Sequence, residues 1–421
     1  MYHPSKNILQ KYAKVLIRFA LNSGKGIGRG DVVLLQVSES AKPLYVALRN
    51  EVLRAGGTFI SQYAPDGVAR EYYELASPEQ LRAFHIKYYR GLIGQIDHSV
   101  FIVAESDMHE LEGVSPKKIM LRHLSLKPYQ LWREDKENKG RFTWTIGLYG
   151  TEAMAREAHM SAREYWQQII RACFLDYADP VAQWKKVFAK IEKTQRALNR
   201  LHIESLEVKG EGVDLSIRVG KGRRWLGGSG RNIPSYELFI SPDWRGTVGT
   251  IRFSQPLYRY GNLVEGVSLV FKKGEVVDAR AKKNEKLLRQ MIQTDRGAKR
   301  VGEFSLTDRR MSRITKFMAE TLYDENRGGR YGNMHIALGK AYKDSYYGNA
   351  AHLSKAAWQA LGFNESAIHI DMVTTTKRAV TAVLKGGKRK IILKRMTLIM
   401  TIATLDSIIG ILLVIYLTFE I

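Results

Sequence analysis

The sequence predicts an α/β and α+β chain: an N-terminal α/β domain with a parallel sheet (1–203), a strand-rich α+β domain (204–391) and an apolar tail (392–421). Three observations carry that prediction. Up to about residue 200, segments with helical spacing alternate with short apolar runs, the signature of strands joined by covering helices. Beyond residue 205, period-2 alternation and turn residues dominate. The last stretch is apolar and set apart by a basic block.

In the first domain, KYAKVLIRFALNSG (11–24) reads as an amphipathic helix ending at glycine, with Val15, Phe19 and Ala20 on one face. DVVLLQVS (31–38) reads as a buried strand, KPLYVALRNEVLRAGG (42–57) as a helix closed by two glycines, and TFISQYA (58–64) as the next strand. This β-α-β order argues for a parallel sheet. SPEQLRAFHIKYYRGLI (77–93) and TEAMAREAHMSAREYWQQIIRACF (151–174) read as further helices. GKGIGRGD (24–31) resembles a phosphate loop, but the helix precedes it and the strand follows, so it reads as a helix end and turn.

In the second domain, LEVKGEGVDLSIRVG, ELFISP, GTVGTIRFSQPLYRY and LVEGVSLVFKKGEVVDARA read as strands, with Gly274 marking a hairpin. EKLLRQMIQT (285–294) is the helix among them.

Composition narrows the function. With 45% hydrophobic and 26% charged residues, the chain is that of a folded protein. Its single cysteine, Cys173, permits no internal disulfide and no thiolate cage. MYHPSKNILQKYAK has no apolar core of a signal peptide, which suits a cytoplasmic setting. The net charge of +24 is spread along the chain, and no RNP pattern, zinc-knuckle spacing or helix-turn-helix accompanies it, so nucleic acid is not expected as a partner. The one dense basic block runs from Lys377 to Arg395.

Ligand-type residues recur in apolar surroundings of the second domain: Glu237 in YELFI, Glu303 in GEFSL, Glu325 in LYDEN, His335 in MHIAL, and His369 with Asp371 in AIHIDM. An inward-facing charge must be paired or bound to metal. His369 and Asp371, two apart, share a side if AIHIDM is a strand. The same spacing in LHIE (His202, Glu204) shows that spacing alone does not identify ligands. Taken one at a time, each residue also fits an ordinary salt bridge or a packed core histidine.

The ordered segments NIPSYELFISP (232–242), PLYRYGNLVEGVSLVFKKGEVVDARAKKNEKLL (256–288), TDRGAKRVGEFSL (294–306), LYDEN (322–326), HIALGKAY (335–342) and IHIDMV (368–373) resemble the metallo-aminopeptidase family of aminopeptidase T and aminopeptidase S. The likeness spans roughly residues 8 to 390. It implies that 204–391 is a catalytic domain with two divalent metal ions (zinc, cobalt, manganese or magnesium) on Glu237, Glu303, Glu325, His335, His369 and Asp371. It further implies Tyr342 and Glu303 as catalytic groups, peptides with a free N-terminus as substrates, a cytoplasmic location and a homodimer. LHIE has no such company and reads as structural.

Two segments depart from the family. RGGRYGNM (327–334) is longer than the usual few small residues and reads as a mobile loop beside the site. MTLIMTIATLDSIIGILLVIYL (396–417) approaches the ~20 apolar residues that span a bilayer, with KGGKRKIILKR as its basic flank and Asp406 opposing insertion. A membrane anchor, a packing helix and an out-of-frame extension all remain open for that tail. A different class of function stays open too: a catalytically inactive relative acting as a basic nucleic-acid- or membrane-surface-binding protein.

Overall fold

The computed structural model describes residues 2–350, 353–394 and 397–398. Four strands of the first half form one parallel sheet: β1 (Val32–Ser38), β2 (Thr58–Ala64), β3 (His98–Val103) and β4 (Thr143–Leu148), in the order β2-β1-β3-β4. Val33, Leu35, Val37, Val100 and Ile102 point to one face, into a core with Tyr12, Leu16 and Leu48. On the other face, Val32, Leu34, Ile60 and Trp144 meet Leu92, Ile93 and Trp132 of helices 86–95 and 127–138. Burial on both faces over residues 32–35 explains the apolar run VVLL, which Gln36 ends.

Three expected helices differ in detail. The first is α-helical over Lys6–Val15 and widens into a π-turn at Leu16–Ala20. GKGIGRGD folds back on that end: Gly26 N–H donates to the Leu21 carbonyl, and Ile27 N–H to the Ile17 carbonyl. Gly26 has φ +77°, and a Cβ there would lie 2.5 Å from the Arg18 carbonyl oxygen, so the position requires glycine. The segment is a helix end and turn, as its order in the sequence implies.

The 77–93 helix is two, Pro78–Arg82 and Ile86–Gln95, because Ala83 turns extended. The break lets Phe84 stack on Tyr89 with ring centroids 5.0 Å apart. The 151–174 helix is also two, Glu152–Glu157 and Ala162–Ala172, separated by His159 at φ +54°. Ser161 and Glu164 close a capping box that starts the second helix and so ends the first.

The second half contains β5 (Ile203–Gly210), β6 (Val213–Arg218), β7 (Leu226–Gly227), β8 (Glu237–Ile240), β9 (Val248–Arg252), β10 (Leu257–Arg259) and β11 (Asn262–Val264). It continues with β12 (Ser268–Lys272), β13 (Glu275–Arg280), β14 (Val301–Thr307), β15 (Asn333–Gly339), β16 (His369–Thr374), β17 (Arg378–Leu384), β18 (Arg389–Lys394) and β19 (Thr397–Leu398). An eight-stranded antiparallel sheet runs β13-β12-β9-β6-β5-β17-β18-β19. A five-stranded antiparallel sheet runs β16-β15-β14-β8-β7, and β10 pairs with β11. Val208, Leu215, Ile217 and Ile251 of the larger sheet share one core with Leu238, Phe304, Leu306, Ile336 and Ile370 of the smaller. One face of the five-stranded sheet is thereby spent on the core. The other carries the chemistry.

The basic block Lys377–Arg395 covers the β17–β18 hairpin, whose Lys385, Lys388 and Arg389 are exposed at its turn. Apart from Thr397 and Leu398, the 396–417 stretch lies outside the described residues. Among the described residues no helix is long and apolar enough to cross a membrane.

Candidate metal centre

Strand register assembles the site. Glu303 on β14 pairs with Ala337 on β15, and Ala337 with Asp371 on β16. One rung along, Phe239 of β8 pairs with Ser305, Ser305 with His335, and His335 with Val373. Side chains alternate along a strand, so Glu237, Glu303, His335, His369 and Asp371 all leave from the face opposite Leu238, Phe304, Ile336 and Ile370. Ala337, paired with both Glu303 and Asp371, contributes only a methyl group between them. Glu325 enters from elsewhere, at the end of the short helix Thr321–Asp324. The structure thus brings together all six ligand-type residues singled out in the sequence, while His202 and Glu204 are exposed and apart from them.

The distances are short. His335 Nε2 lies 3.1 Å from Glu303 Oε1, 3.3 Å from Glu237 Oε2 and 3.8 Å from Asp371 Oδ1. His369 Nε2 lies 3.3 Å from Asp371 Oδ1 and 3.8 Å from Glu303 Oε2. Two groups have the spacing of a metal site, Glu237–Glu303–His335 and Glu325–His335–Asp371, with donor atoms within 4.8 Å of one another in each. Surrounding groups fix the donors: His369 Nδ1 meets the Lys340 carbonyl at 2.8 Å, Ser305 Oγ donates to Glu237 Oε2 at 2.9 Å, and Asn232 Nδ2 donates to Glu325 Oε1 at 2.9 Å. Such partners hold ligating side chains in one orientation.

Electrostatics show what the set lacks. Burial, together with Glu303, pushes the Glu237 carboxyl up to about 7 against the pull of His335. Burial and then the charges of Asp371, Glu237 and Glu303 raise Glu325 well above the usual range. Burial opposes a charge on His335, yet the bond to Glu303 and the charges of Glu237 and Asp371 hold it up at about 9. Asp371 is pulled down to about 2 despite burial, chiefly by His369. Among the described residues no Lys or Arg salt bridge is formed by Glu237, Glu303, Glu325 or Asp371; the ion pairs of Glu237, Glu303 and Asp371 are with His335 and His369. Crowded carboxylates with imidazoles are a donor set that divalent cations complete. The sole thiol plays no part: Cys173 is buried against Tyr323 and burial pushes it up to about 12.

Tyr342 stands at the mouth of the cluster. Its ring centroid is 4.9 Å from that of His369, and the Arg231 guanidinium sits 5.2 Å from it on another side. Burial and the charges of Glu303 and Asp371 raise its hydroxyl well above the ordinary value. Arg231 is itself held between Glu137 at 2.7 Å and Asp344 at 2.6 Å. RGGRYGNM leaves Glu325 in the cluster, and its Asn333 donates to the Asp324 carbonyl. Sequence reasoning missed Asn232, Ser305, Arg231 and Trp144, whose partners lie far along the chain. Asn232, at the head of NIPSYELF, and Ser305, in GEFSL, stood inside segments already singled out.

A cavity of 40 Å³ lies among these donors, lined also by Trp144 and Tyr342. Beside it opens one of 390 Å³ that shares Trp144, Tyr342 and His369.

Comparison with known proteins identifies the family. The pattern of the family described as thermophilic metalloprotease (M29) matches residues 5–395. The chain is 29% identical to aminopeptidase T of Thermus thermophilus over 412 residues, covering 93% of this chain and 98% of that protein. It is 27% identical to aminopeptidase PepS of Streptococcus thermophilus over 396 residues, covering 87% and 92%. A solved structure titled wild-type AmpT from Thermus thermophilus superposes with a TM-score of 0.79 at 27% identity, over 94% of this chain and 99% of that one.

Proposed function

The chain belongs to the thermophilic metalloprotease (M29) family and is a metal-dependent aminopeptidase, and from that premise we propose that Glu237, Glu303, Glu325, His335, His369 and Asp371 hold two divalent cations. The observation that carries this reading is the attitude of Glu303. One of its oxygens faces His335 at 3.1 Å and the other faces His369 at 3.8 Å, so a single carboxylate reaches both histidines of the donor set. The oxygen-rich set suits zinc, cobalt, manganese or magnesium. When bound, such a pair supplies a water deprotonated near neutral pH and a polarised scissile carbonyl.

The chain's own residues supply the rest. Tyr342 stays protonated and donates a hydrogen bond to the oxygen that becomes negative in the transition state. Among the acids, Glu303 is the catalytic candidate, and a carboxylate of the cluster passes the water's proton to the departing amine. The free α-amine of a peptide enters the small closed end, where carboxylates await a cation. Metal analysis of chelator-stripped and refilled protein, alongside an aminoacyl-arylamide assay, tests the reading. Two metals per chain and restored release are expected, and Glu303→Gln should lose both. Fewer than one metal per chain with no release would contradict it.

The same proposal includes a homodimer in the cytoplasm and a chain divided near residues 203 and 391. It also includes membrane association through 396–417, which an alkaline membrane wash of full-length and truncated chains tests. An inactive basic nucleic-acid- or membrane-surface-binding protein is not favoured, since it has no use for a buried ligand set.

A further inference from the structure

The parallel sheet of the first half has one face that its helices leave partly bare. Val32, Leu34, Ile60 and Trp144 on that face are covered by helices 86–95 and 127–138. Further along the same strands, register aligns Gln62 of β2, Gln36 of β1, Phe101 of β3 and Ile146 of β4 in one row. None of the four is fully buried, and Phe101 is 45% exposed, unusual for an aromatic at the centre of a sheet.

That row runs into the metal centre. Ile146 N–H donates to the Arg231 carbonyl and Ile233 N–H to the Ile146 carbonyl, so β4 abuts the segment whose Asn232 binds Glu325. The 390 Å³ cavity beside the donors is floored by Ile146, Phe101 and Gln36. A further cavity of 720 Å³ shares Gln36 and Phe101 with it and continues over Gln62 to Tyr88, which is 53% exposed. The three spaces thus widen in order away from the donors: 40, 390 and 720 Å³.

An exopeptidase that reads a free amine needs a closed end for one residue and an open path for the rest. We infer that the residues downstream of the scissile bond lie across this row, making Phe101 and Gln36 positioning residues for peptides rather than for single aminoacyl amides. The inference rests on the metal centre proposed above. Four neighbouring strands at about 4.8 Å spacing give a row of about 14 Å, the length of about four extended residues. A peptide of about five residues would therefore occupy the whole row, and a dipeptide almost none of it. Phe101 offers an apolar face to any side chain. The amides of Gln36 and Gln62, bonded to each other at 2.8 Å, offer polar edges to a peptide backbone.

The test compares a neutral pentapeptide with a leucyl arylamide on the metal-loaded enzyme. Wild type should show a higher kcat/KM for the pentapeptide than for the matching dipeptide. Phe101→Ala, alone and with Gln36→Ala, should lower kcat/KM for the pentapeptide about tenfold, mainly through KM, the size expected for one lost apolar contact. Arylamide hydrolysis should stay within about twofold of wild type by the same reasoning, and Phe101→Tyr should restore pentapeptide cleavage. Equal losses on both substrates, no loss on the pentapeptide, or no gain with peptide length in the wild type would overturn the inference. Metal content reports on the dinuclear reading and the substrate ratio on the row, so the two fail separately.

Discussion

Tyr342 illustrates how far a single residue's environment fixes its use. It holds no donor position toward the carboxylates, and its hydroxyl is kept protonated by burial and by Glu303 and Asp371. Tyr342→Phe should therefore keep full metal content and lose kcat by about 10²–10³, the usual cost of one oxyanion donor; unchanged turnover would remove the tyrosine from the mechanism. The donors carry a second, pH-dependent consequence. Without metal, Glu237 titrates at about 7, Glu325 higher than usual, and His335 at about 9. Near neutral pH the empty site thus holds protons that a cation must displace, so affinity should rise as pH increases through 7 toward 9. Calorimetric titration in buffers of different ionisation enthalpy would read the proton release, and none at pH 7 would contradict the assignment. Stability of the metal-free protein carries the opposite sign. The raised carboxyl of Glu237 contributes stability that is full below about 4.5, its unfolded value, and is lost as pH rises through about 7.

Strands were the most legible elements. TFISQYA coincides with β2, and the acids and histidines flanked by Ile, Leu and Phe lie where alternation puts them, chemistry on one face and core on the other. That all six gather in one place was legible only through the family resemblance, because pairing between β8, β14, β15 and β16 joins residues far apart in the chain. Helix continuity was the weak point. Period 3.6 continues across 83–85 and 158–161, and the breaks come from a stacking partner for Phe84 and from the Ser161–Glu164 cap. The cap was readable as S-x-x-E, whereas the stacking was not. Register also yields a test at this scale. Ala337 lies between Glu303 and Asp371 on the site face of β15. Ala337→Val should preserve the β15 pairing at an overpacking cost of about 1–3 kcal/mol, yet exclude metal from the cluster. Elemental analysis together with circular dichroism would check it; a folded variant with full metal content would show that the space beside Ala337 is not the site.

For the whole molecule, composition excluded more than it identified. The net charge of +24 is spread along the chain, and the one dense basic block covers the β17–β18 hairpin, where Arg378 is buried and Lys385, Lys388 and Arg389 are exposed. What the composition could not convey is how firmly the two halves are joined. Tyr236, Ile314, Met318 and Tyr323 from the second half are buried in the core of the first-half sheet with Tyr12, Tyr165 and Trp166. Polar contacts fasten that junction as well: the Tyr236 hydroxyl donates to the Ala172 carbonyl, Tyr165 donates to the Met318 carbonyl at 3.0 Å, Cys173 Sγ lies 3.3 Å from the Tyr323 hydroxyl, and Arg313 pairs with Asp176 at 2.7 Å. Neither half can unfold without exposing apolar surface of the other, so calorimetry should show one main transition rather than two. The metal centre sits close to this junction, since Glu325 follows Tyr323 by two residues and Asn232 adjoins Ile233. Cations that bind only the folded chain add RT ln(1 + [L]/Kd), about 2.7 kcal/mol at a hundredfold excess over Kd. Chelation should therefore lower the midpoint of that single transition by several degrees, and restored metal should raise it again. Two transitions, of which only one moves with metal, would show that the halves unfold independently.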